Sequence, residues 1–297
     1  TGSSNYEFAK TIPGVRVVLL PVNHPLRSVQ KIRSFRFDLF IDFGSWPRLD
    51  AILAFSARAG FTIGFKSAGQ YRHYLFDRAV DHSRGVHEIE NFRNLLRVFG
   101  VNSFSIPRIE YDENRSNLES DLRQPYVVFH PWPSGYKSYL KEWPPEYWSG
   151  LAERVAAMGL RILLSGSAAD REKSENIIKR LKKRGDQISN IAGKYSLEET
   201  FGVLKNARLL ICVNTGIMHI AAALDVPMVA LHGPTSPLRW GPLSDRAVVI
   251  VPDIPGCGYL NFGFEYPSNP PDCMGEISVE KVFHAVKSIL NETDDSG

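Results

Sequence analysis

Short, nearly uninterrupted runs of apolar residues recur along the 297-residue chain. Runs of this kind are typical of strands covered on both faces, as in parallel sheets. Helical periodicity separates most of them, which predicts an α/β protein whose parallel strands are joined by right-handed crossovers. The predicted strands lie at 15–20, 37–43, 61–65, 126–130, 161–165, 209–213, 228–232 and 247–251.

Helix signals are clearest in the second half of the chain. Pro145 opens a helix whose apolar positions recur at helical spacing, as Pro commonly does in the first turn. Asp170 heads a second helix, and Ser196 with Glu199 forms a capping box at the start of a third. A last helix is predicted from about residue 279 to about residue 290.

The polar segment at 112–124 lacks a sustained apolar period, as linkers do. It predicts an N-terminal domain at 1–124 and a C-terminal domain at 125–297. The second domain contains five or six of the predicted strands, whereas the first contains three.

Composition excludes several classes of protein. The 35 Lys and Arg against 32 Asp and Glu leave a net charge of +3, too small an excess to indicate nucleic-acid binding. No apolar run approaches the ~20 residues of a membrane-spanning helix, and no signal peptide is visible. The three cysteines are few and widely spaced, which favours a reducing compartment over a disulfide framework. Cys257 and Cys273 flank a loop, where they could pair or hold a metal ion, although two ligands make a weak metal site.

The densest cluster of candidate chemistry is NTGIMH at 214–219, directly after a predicted buried strand. A strand, a tight turn and a helix present free backbone N–H groups and a positive helix end to an anion. Thr215 and His219 can add side-chain contacts, and Gly216 permits close approach. Alternatively, Asn214 or Thr215 caps the helix and His219 is half-buried.

Three further loops follow predicted strands, and in a parallel sheet they share one edge. GPTSP at 233–237 fits a phosphate-binding floor, or a plain turn. The loop at 131–144 offers Lys137, Lys141 and the backbone N–H groups of Ser134 and Gly135 to a diphosphate, or is a solvated basic loop. The loop at 165–170 ends in Asp170, which suits ribose hydroxyls or a helix N-cap.

These motifs occur in an order that resembles glycosyltransferase family 9, the ADP-heptose:lipopolysaccharide heptosyltransferases. The resemblance is carried by KEWP at 141–144, SGSAAD at 165–170, NIAG at 190–193, SLEE at 196–199, NTGIMH at 214–219, GPTSP at 233–237 and DCMGEIS at 272–278. It implies a GT-B fold of two Rossmann-like domains facing across a cleft. By this resemblance the C-terminal domain would hold the nucleotide sugar, with the last helix as a candidate to cross back, and the N-terminal domain at 1–124 would hold the acceptor.

The resemblance also implies a function, which is inverting transfer of heptose from ADP-heptose to a lipopolysaccharide core or related glycan. No metal or cofactor is expected, because helix ends and basic groups neutralise the leaving diphosphate. The expected donor-binding residues are Ser134, Lys141, Gly166, Asp170, Asn214, Thr215, Gly216, Met218, His219 and Thr235. Alternatives are another nucleotide sugar on the same fold, a sugar-nucleotide epimerase, or an inactive binding protein.

The chain departs from the family pattern at two places. Asn214 stands where the family usually has Asp, so the donor identity stays open. The family also begins with a strand and a Gly-Asp loop that carries its presumed general base, which has no counterpart before Val15. The first domain is therefore expected to lack its first strand–loop–helix. Asp42 and Asp50 are weak substitutes for the base. Arg48 and Arg72 are candidates to face an anionic acceptor, although solvated arginines are the favoured alternative.

We expect a cytoplasmic protein, peripheral at most to the cytoplasmic face of the inner membrane. Its partners would be a nucleotide sugar and a saccharide acceptor, without nucleic acid. The sequence leaves the acceptor, the linkage and the oligomeric state open.

Overall fold

The computed structural model describes residues 1–2, 5–111, 122, 124–182, 185–262 and 264–294. The chain forms two compact units, Thr1–Ser105 and Ile106–Gly297. Most of the predicted linker at 112–124 lies outside the described residues. Ile109 and Tyr111 already pack against the core of the second unit, so the segment just before that linker belongs with it.

The first unit contains a parallel sheet of three strands in the order β1-β2-β3. Its elements are α1 (Tyr6–Lys10), α2 (Pro25–Arg33), β1 (Leu39–Ile41), α3 (Arg48–Ser56), β2 (Phe61–Lys66), β3 (Arg78–Asp81) and α4 (Glu88–Arg97).

The strand predicted at 15–20 is wrong, because that segment has no place in a sheet. Leu20 instead packs beside the small core that Ile32 and Leu53 share. The third strand is β3, which the apolar pattern missed because charged residues stand at both of its ends.

The second unit contains a parallel six-stranded sheet in the order β6-β5-β4-β7-β8-β9. Its strands are β4 (Tyr126–His130), β5 (Arg161–Leu164), β6 (Ile188–Asn190), β7 (Leu209–Val213), β8 (Met228–Leu231) and β9 (Ala247–Ile250). Its helices are α5 (Pro145–Ala157), α6 (Arg171–Lys179), α7 (Leu197–Lys205), α8 (Gly216–Ala223), α9 (Pro237–Trp240) and α10 (Val279–Asp294).

Helices cover both faces of this sheet. Side chains of one strand alternate between the faces, so Val127 and Phe129 enter the core under α5 and α10, whereas Tyr126 and Val128 enter the core under α7 and α8. The last helix, α10, packs on α5 within this unit. The strand order reverses between β4 and β7, which is the arrangement of a doubly wound nucleotide-binding sheet.

A disulfide joins Cys257 to Cys273, and Cys212 is a free thiol buried in β7. The expectation that the cysteines stay unpaired is therefore wrong for two of the three, and the pairing alternative is correct. The spacing of the cysteines along the chain could not predict this disulfide, because the loop between Cys257 and Cys273 has to fold back before the sulfurs meet. The bond closes the loop from 257 to 273 on itself.

Candidate active site in the second unit

The carboxyl ends of β4 and β7 mark the point where the strand order reverses. Ligands of open α/β sheets bind in the crevice outside the strands at such a point. The loop after β4 begins at Pro131, and the loop after β7 begins at Asn214 and runs directly into α8. The topology therefore brings two of the predicted donor loops to the same edge.

Thr215 occupies the N-cap of α8, but its side chain makes no capping hydrogen bond. Its Oγ1 atom is buried and has no hydrogen-bond partner among the described residues. A buried hydroxyl without a partner costs about 1–3 kcal/mol. The capping alternative for Thr215 is thus not what the structure shows, and a ligand oxygen would satisfy the hydroxyl.

His232, which follows β8, is a second buried polar group at this edge. Its residue is 0% exposed, and its Nε2 atom has no hydrogen-bond partner among the described residues. Alternation along β8 turns its ring to the face that carries α8, as for Met228 and Ala230. Its other ring nitrogen lies 3.4 Å from Thr235 Oγ1.

Burial lowers the pKa of His232 to about 4, a backbone hydrogen bond with Thr235 opposes the shift, and nearby His219 lowers the pKa further. The ring is therefore neutral at pH 7 and offers one donor and one acceptor nitrogen. His232 was not among the residues that the loop motifs predicted for the site. Its signal was present, since a polar residue ended an otherwise apolar run directly before the GPTSP loop.

Asn214 does not cap α8 with its amide. Its Nδ2 donates to the Trp240 carbonyl oxygen at 3.1 Å. An aspartate could not donate here, and its carboxylate would face a carbonyl oxygen. The amide thereby anchors the end of α9 to the start of α8, and this contact suits the Asn at position 214.

Gly216 and Met218 were both predicted to bind the donor, but Gly216 borders open space whereas Met218 is buried. A Cβ atom built on Gly216 would meet no heavy atom within 4 Å, so the space above the first turn of α8 is open. Met218 is 0% exposed and packs in the core under α8. Its place on the buried face of the helix gives it a packing role.

The loop after β4 is held by Lys141. Its ammonium donates to the Ser134 carbonyl oxygen at 2.7 Å, and burial lowers its pKa. An ammonium has three donors, so this bond leaves capacity for an anion. His130 at the end of β4 bonds Ser165 Oγ at 2.8 Å, and burial lowers its pKa to about 4, with Asp170 acting weakly in the opposite direction.

The loop after β5 is built by capping. Asp170 stands at the N-cap position of α6 but makes no side-chain capping hydrogen bond there. It accepts hydrogen bonds from the backbone N and the Oγ of Ser167, as the third residue of a capping box that Ser167 begins, so the expected N-cap role of its side chain is not what the structure shows. A Cβ on Gly166 would lie 2.7 Å from Trp132 Cδ1. This glycine is therefore required by the packing of the loop on Trp132.

In the first unit, Asp42, Asp50 and Arg72 form one cluster after β1. Arg72 is 1% exposed and donates to Asp42 and to the Gly44 carbonyl oxygen. The alternative that Arg72 is solvated is therefore wrong. Burial raises the pKa of Asp42 to about 6, and Arg72 opposes that shift. Burial also raises the pKa of Asp50.

Arg48 lies beside this cluster and donates to the Gln70 carbonyl oxygen at 3.0 Å. These contacts join the segments that follow β1 and β2. The two loops at the carboxyl edge of the three-stranded sheet are therefore held in position by Asp42, Arg48 and Arg72.

The sequence profile of glycosyltransferase family 9 (heptosyltransferase) matches residues 26–257. The chain belongs to glycosyltransferase family 9. This membership agrees with the resemblance seen in the donor-loop motifs, and the match extends across residues of both units.

Two curated members of family 9 illustrate the similarity. Lipooligosaccharide heptosyltransferase 2 of Haemophilus influenzae is 39% identical over 111 residues, which are 37% of this chain and 32% of that protein. Lipopolysaccharide heptosyltransferase 1 of Pseudomonas aeruginosa is 33% identical over 185 residues, which are 61% of this chain and 49% of that protein. The chain thus spans about a third to about half of these relatives.

Solved structures of family 9 share the fold. The ADP-heptose lipopolysaccharide heptosyltransferase II of Escherichia coli superposes with a TM-score of 0.74 at 19% identity, over 99% of this chain and 88% of that one. Escherichia coli heptosyltransferase WaaC with ADP gives 0.69 at 20% identity, over 96% and 87%. These matches confirm the predicted α/β GT-B fold class. In the part of the chain that the structure describes, no helix is long and apolar enough to span a bilayer.

Proposed function

We propose that this family 9 chain is a glycosyltransferase that moves heptose from ADP-heptose to a lipopolysaccharide core or related glycan. The observation that carries the proposal is the pair of buried, unpartnered polar atoms, Thr215 Oγ1 and His232 Nε2, beside the N-terminus of α8. Burying such atoms without a partner is costly. A diphosphate at the helix N-terminus would satisfy them and would favour the positive end of the helix.

The chemistry requires stabilisation of the charge that develops on the leaving ADP. The free N–H groups at the start of α8, the hydroxyl of Thr215 and the ammonium of Lys141 would supply it, and we propose transfer without a metal ion. The acceptor hydroxyl attacks the anomeric carbon from the opposite side as the bond to ADP breaks, which inverts the configuration. That hydroxyl loses its proton to a base. Arg72 already pairs with Asp42, so we assign no catalytic step to Asp42.

Calorimetric titration of ADP into the full chain tests the donor site. The wild type should bind ADP, and Thr215→Ala with His219→Ala should weaken binding while the thermal unfolding midpoint stays within a few degrees. Unchanged ADP binding in this variant would reject the site at α8. EDTA should leave both binding and transfer unaltered.

Transfer from ADP-heptose to a heptose-deficient lipopolysaccharide core separates this function from its alternatives. Product with inverted anomeric configuration supports it. Tight binding of ADP-heptose without product would favour an inactive binding protein, and product only with another nucleotide sugar would change the donor. Release of an epimerised sugar without an acceptor would indicate an epimerase.

The acceptor chemistry sets the location that we propose. A lipopolysaccharide core under construction is anchored by its lipid, and its donor is a soluble nucleotide sugar. We therefore place the reaction in the cytoplasm, at the inner face of the membrane that carries the acceptor. Co-sedimentation of the chain with vesicles that contain this acceptor, compared with vesicles that lack it, is the corresponding measurement.

A further inference from the structure

Four tyrosines and one lysine of the second unit form a surface cluster beside the donor loops. Tyr136 and Tyr139 belong to the loop after β4 and are each 64% exposed. Tyr259 and Tyr266 belong to the loop that the Cys257–Cys273 disulfide closes. We call these four residues with Lys137 the tyrosine platform.

Three of the four tyrosine rings of the platform form one connected group. The Tyr266 ring lies 5.8 Å from the Tyr136 ring and 6.1 Å from the Tyr259 ring, both edge to face. Lys137 Nζ lies 5.7 Å from the Tyr136 centroid and 5.4 Å from the Tyr266 centroid. Burial raises the pKa of Tyr266, with Tyr259, Tyr139 and Tyr136 adding to the shift, which places Tyr139 in the same group.

A hydrogen bond joins the two loops that carry the platform. Tyr266 Oη donates to the Tyr136 carbonyl oxygen at 3.0 Å, which ties together two loops 130 residues apart. Lys137 has a left-handed backbone with φ 47°, a conformation that is unfavourable for a side chain of this size. A non-glycine residue in this region persists only where surrounding contacts hold it.

The platform also borders the GPTSP loop at 233–237, which is one of the predicted donor loops. The backbone N of Gly258 donates to the Gly233 carbonyl oxygen at 3.0 Å, and that of Leu260 donates to the Pro234 carbonyl oxygen at 2.8 Å. Leu260 pairs with Thr235 in a parallel bridge. The loop that carries Tyr259 therefore runs alongside the GPTSP loop.

The cations at the platform lie in the loop after β4, where Lys137 and Lys141 occur and no Asp or Glu is present between 131 and 141. In the second loop Glu265 precedes Tyr266, and its carboxylate accepts hydrogen bonds from the backbone N of Phe262 and Phe264. Exposed tyrosines offer wide, stiff contact surfaces at low conformational cost, with hydroxyls that form hydrogen bonds. An anionic saccharide combines the C–H faces, hydroxyls and negative charge that such a surface fits.

We propose that the tyrosine platform is a binding subsite for an anionic saccharide, namely the acceptor glycan next to its point of glycosylation. This inference rests on the proposed glycosyltransferase function and adds a saccharide subsite to the unit that holds the donor. Its chemistry is stacking of sugar rings on Tyr136 and Tyr139, with the ammonium of Lys137 facing a phosphate or carboxylate.

Transfer kinetics test the platform. Tyr136→Ala with Tyr139→Ala should raise KM for a deacylated, phosphorylated core oligosaccharide about tenfold, while the ADP Kd and the unfolding temperature stay unchanged. Tyr136→Phe with Tyr139→Phe keeps the rings and should restore most of the acceptor affinity. Met158→Ala removes another exposed apolar side chain of this unit, at the C-cap of α5, and should change neither constant.

Direct binding keeps the test independent of turnover. Saturation-transfer NMR with the same oligosaccharide and no donor should show contact with the wild type and its loss in the double alanine variant. Enzymatic removal of the phosphates should weaken contact, as should Lys137→Gln. An unaltered acceptor KM, or an equal NMR signal, in the double alanine variant would overturn the subsite. Failure of ADP binding in the wild type would instead overturn the donor site.

Discussion

Replacing Thr215 by Val should change stability and binding in opposite directions. The hydroxyl is buried without a partner and makes no capping bond, so its removal relieves a desolvation cost of about 1–3 kcal/mol in the free chain. The same hydroxyl would donate to a diphosphate oxygen. A hydrogen bond to a charged group contributes about 1.5–3 kcal/mol, so ADP should bind about 10- to 150-fold more weakly.

Two measurements on the full chain check this prediction. Thermal unfolding without nucleotide should show an unchanged or higher midpoint for Thr215→Val, and calorimetry should show the weaker ADP binding. Thr200→Val is the matched control, because Thr200 Oγ1 donates to the Ser196 carbonyl oxygen at 2.7 Å within α7. This control should keep its ADP affinity without gaining stability. A lower midpoint with unaltered ADP affinity for Thr215→Val would show that the hydroxyl is structural and would refute the reasoning.

Four other variants probe the second unit. His130 has a folded pKa of about 4, so the unfolded chain takes up protons first, and this group alone lowers stability by about 3 kcal/mol as pH drops from 6.5 to 4. His232 has a similar folded pKa and adds a similar loss over the same range. His130→Gln should therefore remove about half of this dependence in denaturant titrations, and an equally steep curve would contradict it. Cys257→Ser should lower stability by about 3 kcal/mol, and reductant should do the same to the wild type but not to the variant. Gly166→Ala should lose about 1–3 kcal/mol through its contact with Trp132, whereas Gly216→Ala should keep stability and weaken ADP binding; equal melting temperatures of the two would reject this contrast.

Local patterns were reliable where short-range physics determines the element. The strands at 126–130 and 209–213 begin and end as predicted, and the capping box of Ser196 and Glu199 forms at the start of α7. Both depend on neighbours within a few residues. The short strands β3 and β6 were missed, because polar residues interrupt them and their identity as strands comes from pairing with β2 and β5.

In the candidate site, too, local sequence predicts some features and tertiary packing decides others. The motif at 214–219 predicts an anion at the start of α8, because a strand, a turn and a helix present the same groups wherever they occur, and this stays a prediction. It could not tell whether Thr215 caps the helix, and it did not separate Met218, on the buried face, from His219. Those outcomes depend on what packs around the helix.

The sequence alone determined the α/β class, the family and the loops that meet at the edge of the second sheet, because these follow from periodicity, capping and local motifs. Only the tertiary structure decided the bond from Asn214 to Trp240, the burial of His232, the Cys257–Cys273 disulfide and the contact of Tyr136 with Tyr266. The two residues of each of the three contacts are between 16 and 130 residues apart. Their meeting depends on strand order and loop path, which no local pattern encodes.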